Sequence, residues 1–177
     1  MVFGTGSLGL SAVMAAKAAG AGPVIAVDVH PNRLQLAAEL GADEVVNASD
    51  GKVRERVLAA LPDGADFTMD TSTLAPVMSE AIGLLAPRGT FAFVAPPDET
   101  GGELTVQMRP LMMGRRIVGI TEGNANPEVF IPRLIDMHLS GKFPFDRLIR
   151  FYPFDEIGKA FHDSEAGTTV KPVLRMN

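Results

Sequence analysis

The sequence predicts an α/β fold built as a doubly wound, mostly parallel sheet. Three observations carry that prediction. Short β-branched runs alternate with longer segments of helical spacing along the chain. Glycine and proline, 18 and 13 residues, punctuate those segments and form no low-complexity tract. A glycine-rich turn, Gly4-Thr5-Gly6-Ser7-Leu8-Gly9, joins the first run to the first helical segment.

Met1-Val2-Phe3 is a stub of strand ending at Gly4, and a helix is predicted over 7–19 with Gly20 as its C-terminal cap. Val24 to Val27 reads as the second strand. Pro31 or Asn32 opens a helix with Leu34, Ala37, Ala38 and Leu40 on its apolar side, closed by Gly41. Glu44 to Asn47 is a third strand. Val53, Val57, Leu58 and Leu61 have helical spacing, and Pro62-Asp63-Gly64 ends that helix. A fourth strand covers Phe67-Thr68-Met69, and a helix follows over 76–85. Pro87-Arg88-Gly89 is read as a turn into a strand over 90–95, followed by a loop with Pro96, Pro97, Gly101 and Gly102. A sixth strand spans 116–120. Asn126 before Pro127 signals an N-cap with proline at the first helical position, for a helix ending near Gly141. Asp155 is expected to cap a last helix reaching Glu165, and a final strand covers 169–174.

The chain of 177 residues suits one domain of roughly 100–200 residues. Its composition, 46% hydrophobic and 21% charged, is that of an ordinary globular protein. A net charge of −5, with Arg115-Arg116 the densest basic pair, argues against nucleic acid as a partner. Lys17 breaks the longest apolar stretch well short of the ~18 residues of a membrane span. The first 22 residues lack the basic start of a secretory leader, so the expected location is cytoplasmic. The absence of cysteine excludes disulfides, thiol nucleophiles and cysteine-based metal sites within these residues. His30, His138 and His162 have no ligand spacing, so no metal site and no catalytic residue is predicted.

The chemistry lies in the glycine turn. Gly4 permits the tight turn, Gly6 lets backbone approach a pyrophosphate, and Gly9 lets the helix pack on the strand. The free amides at the helix start, through Ser7 and Leu8, face an anion that the helix dipole favours. Asp28 ends the second strand 19 residues beyond Gly9, where an acid accepts hydrogen bonds from the adenosine ribose and repels a 2′-phosphate. Arg33 is expected to reach the ribose too, softening that exclusion. The set reads as a Rossmann-type NAD site. A methyltransferase shares the glycine loop and acid, but its loop is less regular.

Further motifs extend the pattern: Ala38-Glu39-Leu40-Gly41-Ala42, Leu85-Ala86-Pro87-Arg88-Gly89-Thr90, Gly114-Arg115-Arg116-Ile117, and the run from Phe154 through Glu156-Ile157-Gly158 to Phe161. With Val2-Phe3, the glycine turn and Ala26-Val27-Asp28, they make nearly the whole chain resemble the coenzyme-binding domain of the zinc-dependent, medium-chain alcohol dehydrogenases. Thr121-Glu122-Gly123, Phe130-Ile131-Pro132-Arg133-Leu134 and Gly141-Lys142-Phe143-Pro144 look most like the aryl-alcohol branch. The resemblance implies cofactor contacts at Thr71 and Ser72, at Val94 and Ala95 (where the family usually has glycine for Ala95), and through the backbone of Ile120, Thr121 and Glu122. It implies a pyrophosphate contact from Lys171, for which an ordinary solvated lysine is the alternative. It also implies a homo-oligomer paired along a sheet edge near residues 104–120, where Leu104, Val106, Met108, Met112, Ile117 and Val118 precede Ile120.

The same resemblance implies a catalytic domain before this one, carrying the zinc ligands and the proton relay, and zinc would sit only there. Without it, the chain is expected to be inactive alone, a truncated product or a fragment whose first strand is cut short. Three readings stand: an NAD domain active with its other half, a non-catalytic NAD-binding or interaction module, and a zinc-free quinone-reductase-like relative. The last usually favours NADPH, which Asp28 disfavours.

Overall fold

The computed structural model describes residues 1–96 and 102–176. Six strands form one parallel sheet in the order β3-β2-β1-β4-β5-β6. They are β1 (Val2–Phe3), β2 (Ile25–Asp28), β3 (Glu44–Asn47), β4 (Ala65–Asp70), β5 (Leu85–Phe93) and β6 (Arg116–Gly119). The helices are α1 (Ser7–Ala18), α2 (Pro31–Glu39), α3 (Val53–Ala60), α4 (Ala75–Gly83), the single turn α5 (Met108–Leu111), α6 (Pro127–Leu139) and α7 (Ile157–Glu165). This is the predicted doubly wound sheet.

Strand alternation divides the core in two. Phe3, Ile25, Val27, Val46 and Phe91 point to one face, against Val57 of α3 and Met78, Ala81 and Ile82 of α4. Val2, Val24 and Ala26 point to the other, against Leu10, Val13 and Met14 of α1 and Ala37 of α2. A sheet covered on both faces needs strands apolar on both faces, and β1 and β2 are buried at nearly every position. β1 is only two residues long yet central, paired to Ala26 and Val27 on one side and to Met69 and Asp70 on the other.

Four elements differ from the sequence reading. β5 starts at Leu85, so Pro87-Arg88-Gly89 lies inside the strand. The register jumps there, from Ala65 opposite Leu85 to Phe67 opposite Thr90, and Arg88 adopts φ +65°. The turn signal marks a bulge. A further strand, β7 (Ile149–Pro153), pairs in parallel with β8 (Lys171–Arg175) as a separate two-stranded sheet. Its burial inverts its apolar pattern, since Tyr152 is buried while Phe151 is exposed. Asp155 does not cap α7; it lies in a 3-10 turn over Phe154–Glu156, and Glu156 precedes the helix without a side-chain cap. The short turn α5 had no signal of its own. By contrast, Asn126 does cap α6, its Oδ1 accepting from the Glu128 amide at 3.0 Å. Of the loop after β5, Pro97 and Gly101 lie outside the described residues.

The β7-α7-β8 unit is fastened beside the main sheet. The Tyr152 hydroxyl donates to Asp163 Oδ2 at 2.8 Å and is hydrogen-bonded to the Thr169 hydroxyl at 2.6 Å. Phe143 and Leu148 join the core on the α1 side. The turn before β8 then meets the glycine loop and α2: Ser7 Oγ donates to the Val170 carbonyl at 3.0 Å, and Asn32 Nδ2 to the Gly167 carbonyl at 2.8 Å.

Candidate functional site

The carboxyl ends of the strands stop level with one another. Phe3 lies opposite Val27 and Asp70, Asp70 opposite Phe93, and Phe93 opposite Gly119. The chain winds outward from β1 in both directions, so the loops after β1 and β4 part and leave a crevice, the usual ligand position in such sheets.

The glycine loop forms its floor. Gly4 has φ +83°, and a Cβ on it would come within 2.6 Å of Thr71 Oγ1. A Cβ on Gly9 would overlap the Gly4 carbonyl, so α1 can sit this close to β1 only with glycine there. A Cβ on Gly6 would meet no atom within 4 Å. The space over Gly6 is an open cradle that a methyl would fill. Gly6 is the N-cap of α1 and makes no side-chain cap, so the first amides of the helix, at Ser7, Leu8 and Gly9, have no intrahelical acceptor. Amides converging on an open cradle suit a pyrophosphate. The Ser7 hydroxyl is committed to Val170, so Ser7 offers the cradle its amide.

A cavity of about 520 Å³ opens beside the loop, between the ends of β1, β2 and β4. Its lining includes Gly4, Asp28 and Ser72, the apolar Val53, Leu74 and Val77, and the charged pair Arg54 and Glu80. The Asp28 carboxylate is held by four donors. Oδ2 accepts from the Thr5 amide at 2.6 Å and the Thr5 hydroxyl at 2.8 Å. Oδ1 accepts from the Val29 amide at 2.7 Å and the His30 amide at 2.9 Å. Burial pushes its pKa up, but the hydrogen bonds from His30, Thr5 and Val29 outweigh burial and hold it below the usual aspartate value. Asp28 is therefore a fixed anion at the rim of an apolar slot.

On the facing side, the buried Asp70 shapes the turn after β4. Its Oδ1 accepts from Ser72 Oγ at 2.7 Å, and its Oδ2 from the Ser72 and Thr73 amides, both at 3.1 Å. This holds Thr73 at φ +60°, a strained value for a β-branched residue, and turns Ser72 toward the cavity. Thr71 Oγ1 donates toward the Phe3 and Gly4 carbonyls, tying the turn to the glycine loop.

The structure thus brings together Gly4, Gly6, Ser7, Leu8, Gly9, Asp28, Thr71 and Ser72. Val94 and Ala95 follow Phe93 directly, and the Ile120 amide donates to the Phe93 carbonyl at 2.9 Å, so these three adjoin at the ends of β5 and β6. Thr121 and Glu122 are exposed beyond them. Glu122, Gly123 and Asn124 all have positive φ, of 49°, 68° and 49°. Holding non-glycine residues there costs about 1–2 kcal/mol each, strain of the kind that gathers at binding sites. Lys171 follows Val170, which Ser7 holds against the start of α1, and it enters no ion pair among the described residues.

Arg33 lies against the turn before β8. It does not line the cavity; its guanidinium lies 3.4 Å from where a Cβ on Gly167 would be, and its Nε is buried without a hydrogen-bond partner. Thr5, Asp70 and the cavity walls Val53, Leu74 and Val77 were missed by sequence reasoning. Only Thr5 had a signal, its place between two glycines of the turn. No group of three or more His, Cys, Asp or Glu able to hold a metal lies among the described residues. No helix among them is long and apolar enough to cross a membrane.

Comparison with known proteins agrees with this geometry. The profile of the zinc-binding dehydrogenase family matches residues 7–138. The chain is 40% identical over 174 residues to geraniol dehydrogenase of Castellaniella defragrans, covering 98% of this chain and 47% of that protein. Among solved structures, an alcohol dehydrogenase zinc-binding domain protein from Burkholderia ambifaria is 42% identical with a TM-score of 0.95, over 99% of this chain and 48% of that one. Benzyl alcohol dehydrogenase from Acinetobacter calcoaceticus is 35% identical with a TM-score of 0.96, over 99% and 49%. The chain spans about half the length of these relatives.

Proposed function

The chain belongs to the zinc-binding dehydrogenase family, and from that premise we propose that it is the NAD(H)-binding part of an alcohol dehydrogenase acting on a primary alcohol, aromatic alcohols included. One observation carries the choice of NAD: a fixed, ionised Asp28 at the rim of the cavity between β1, β2 and β4. In this reading the adenine enters the apolar slot between Val53, Leu74 and Val77. The ribose hydroxyls donate to Asp28, which repels the 2′-phosphate of NADP. The amides of Ser7, Leu8 and Gly9 around Gly6 would hold the pyrophosphate, with the Lys171 ammonium as the cation beside them. The nicotinamide lies along Val94, Ala95 and the backbone of Ile120, Thr121 and Glu122. When bound, NAD exchanges a hydride with the alcohol; this chain's residues bind and orient it.

Zinc and the proton relay belong, in this reading, to residues of the relatives that this chain does not span. Residues 1–177 then act as one coenzyme-binding unit and depend on that remainder for catalysis. Geraniol and benzyl alcohol dehydrogenases among the relatives support a primary alcohol conjugated to a double bond or ring as substrate class.

Titration of the purified chain with NADH and NADPH, followed by nicotinamide fluorescence, tests the proposal. NADH should bind tighter; equal or tighter binding of NADPH overturns it. Incubation with NAD and benzyl alcohol should give no turnover, with or without added zinc, and turnover would overturn dependence on the remainder.

A further inference from the structure

Thr5 occupies a variable position of the glycine turn, yet it is fully buried and spends two donors on one acceptor. Those two bonds account for all that Oδ2 of Asp28 receives; Oδ1 is held by the Val29 and His30 amides. Asp28 therefore joins two loops, the glycine turn after β1 and the turn after β2. Three of its four donors are backbone amides that any residue would supply. The fourth, the Thr5 hydroxyl, is set by the sequence.

We infer that Thr5 is a positioning residue for dinucleotide selection, fixing the Asp28 carboxylate in the orientation that accepts a ribose diol and excludes a ribose 2′-phosphate. The inference rests on the reading that Asp28 faces the adenosine ribose. A carboxylate selects in two ways, and both need it ionised and still. It accepts from the ribose hydroxyls only when its oxygens are aimed, and it repels a phosphate only when charged. Each donor from Thr5 favours the charged form, and a charge-assisted hydrogen bond restricts rotation more than a neutral one. Replacing the hydroxyl by a methyl leaves Oδ2 with one donor in a site closed to water on that side. The carboxylate then takes up a proton more readily and turns more freely. Acceptance of the diol weakens while repulsion of the phosphate relaxes, so the two cofactors move in opposite directions.

The test compares wild type, Thr5→Val, which keeps the shape without the hydroxyl, and Thr5→Ser, which restores it. Thr5→Ala serves as a second hydroxyl-free variant if the valine chain does not fold. NADH and NADPH dissociation constants are measured by fluorescence, and the Asp28 carboxyl titration by carbon-detected NMR without cofactor. The hydroxyl-free variant should lose about threefold or more in NADH affinity, because a carboxylate no longer held in place must be ordered on binding. Its NADPH affinity should hold or rise, and its Asp28 titration should move to higher pH. Thr5→Ser should restore the wild-type ratio and titration. An unchanged cofactor ratio in a folded hydroxyl-free variant overturns the inference alone, as does a serine variant that behaves like valine. If wild type binds neither dinucleotide, the ribose reading fails and this inference with it.

Discussion

Gly9 is packed onto Gly4: the carbonyl of Gly4 occupies the space a Cβ on Gly9 would need. Gly6, between them, faces open space with φ −74°, a value any residue adopts. One motif therefore holds two kinds of glycine, one that the packing of the fold requires and one that it leaves unconstrained.

Gly9→Ala should destabilise the chain by about 3 kcal/mol or prevent folding, since the overlap is with backbone and overpacking already costs about 1–3 kcal/mol where side chains can yield. Gly6→Ala should leave stability within about 0.5 kcal/mol of wild type. It should weaken NADH at least about tenfold by filling the cradle. Urea denaturation and NADH titration of both variants check the pair.

Acid should find Asp28. Its folded pKa lies below the ordinary value, near 3.9 for an unperturbed aspartate. A depressed carboxylate contributes stability that is present above the unfolded pKa and lost as pH falls through the folded one. The stability difference between wild type and Asp28→Asn should therefore be constant from pH 7 to about 5 and shrink below about pH 4. Denaturation midpoints at pH 7, 4 and 3 read this directly; a difference that persists unchanged at pH 3 contradicts it.

The sheet architecture was legible because its signals are local. β1 and β2 are runs of apolar residues, and the glycine turn and the Asn126 cap are set by neighbours in sequence. β7 escaped because its inward residue is Tyr152 and its outward one Phe151, a pattern fixed by Asp163 and Thr169 and not by hydrophobicity. Asp28 stood out by spacing, but its hold on Thr5 is a contact 23 residues apart that no period announces.

We propose that copies of this chain pair along the open edge of the sheet. β6 is exposed at all four positions, Ile117 and Val118 included, and Met108, Met112 and Met113 stand out beside it. Leu104 and Val106, in the same segment, are partly buried and pack against the core. An exposed apolar edge strand invites pairing with another copy. Light scattering at micromolar concentration should give at least twice 18.8 kDa, and Met112→Asp should shift the mass toward the monomer. A wild-type mass near 18.8 kDa contradicts the assembly.

Removing the charge at the cavity rim should alter cofactor choice without abolishing binding. Asp28→Ala should narrow the NADH-over-NADPH preference, each tenfold of change corresponding to about 1.4 kcal/mol. Paired fluorescence titrations check it; a gap that stays as wide would locate the discrimination elsewhere.

The central claim, that the crevice at the ends of β1, β2, β4, β5 and β6 is a dinucleotide site, is tested most directly by titrating the ¹⁵N-labelled chain with NADH and following its amide resonances. The account predicts the largest shifts at Gly6, Ser7, Leu8 and Gly9, at Val29 beside Asp28, at Thr71 and Ser72, and at Ile120, Thr121 and Lys171. Gly158 and the rest of α7 should stay still. Shifts confined to other surfaces, or no saturable shift at the glycine turn, would contradict it.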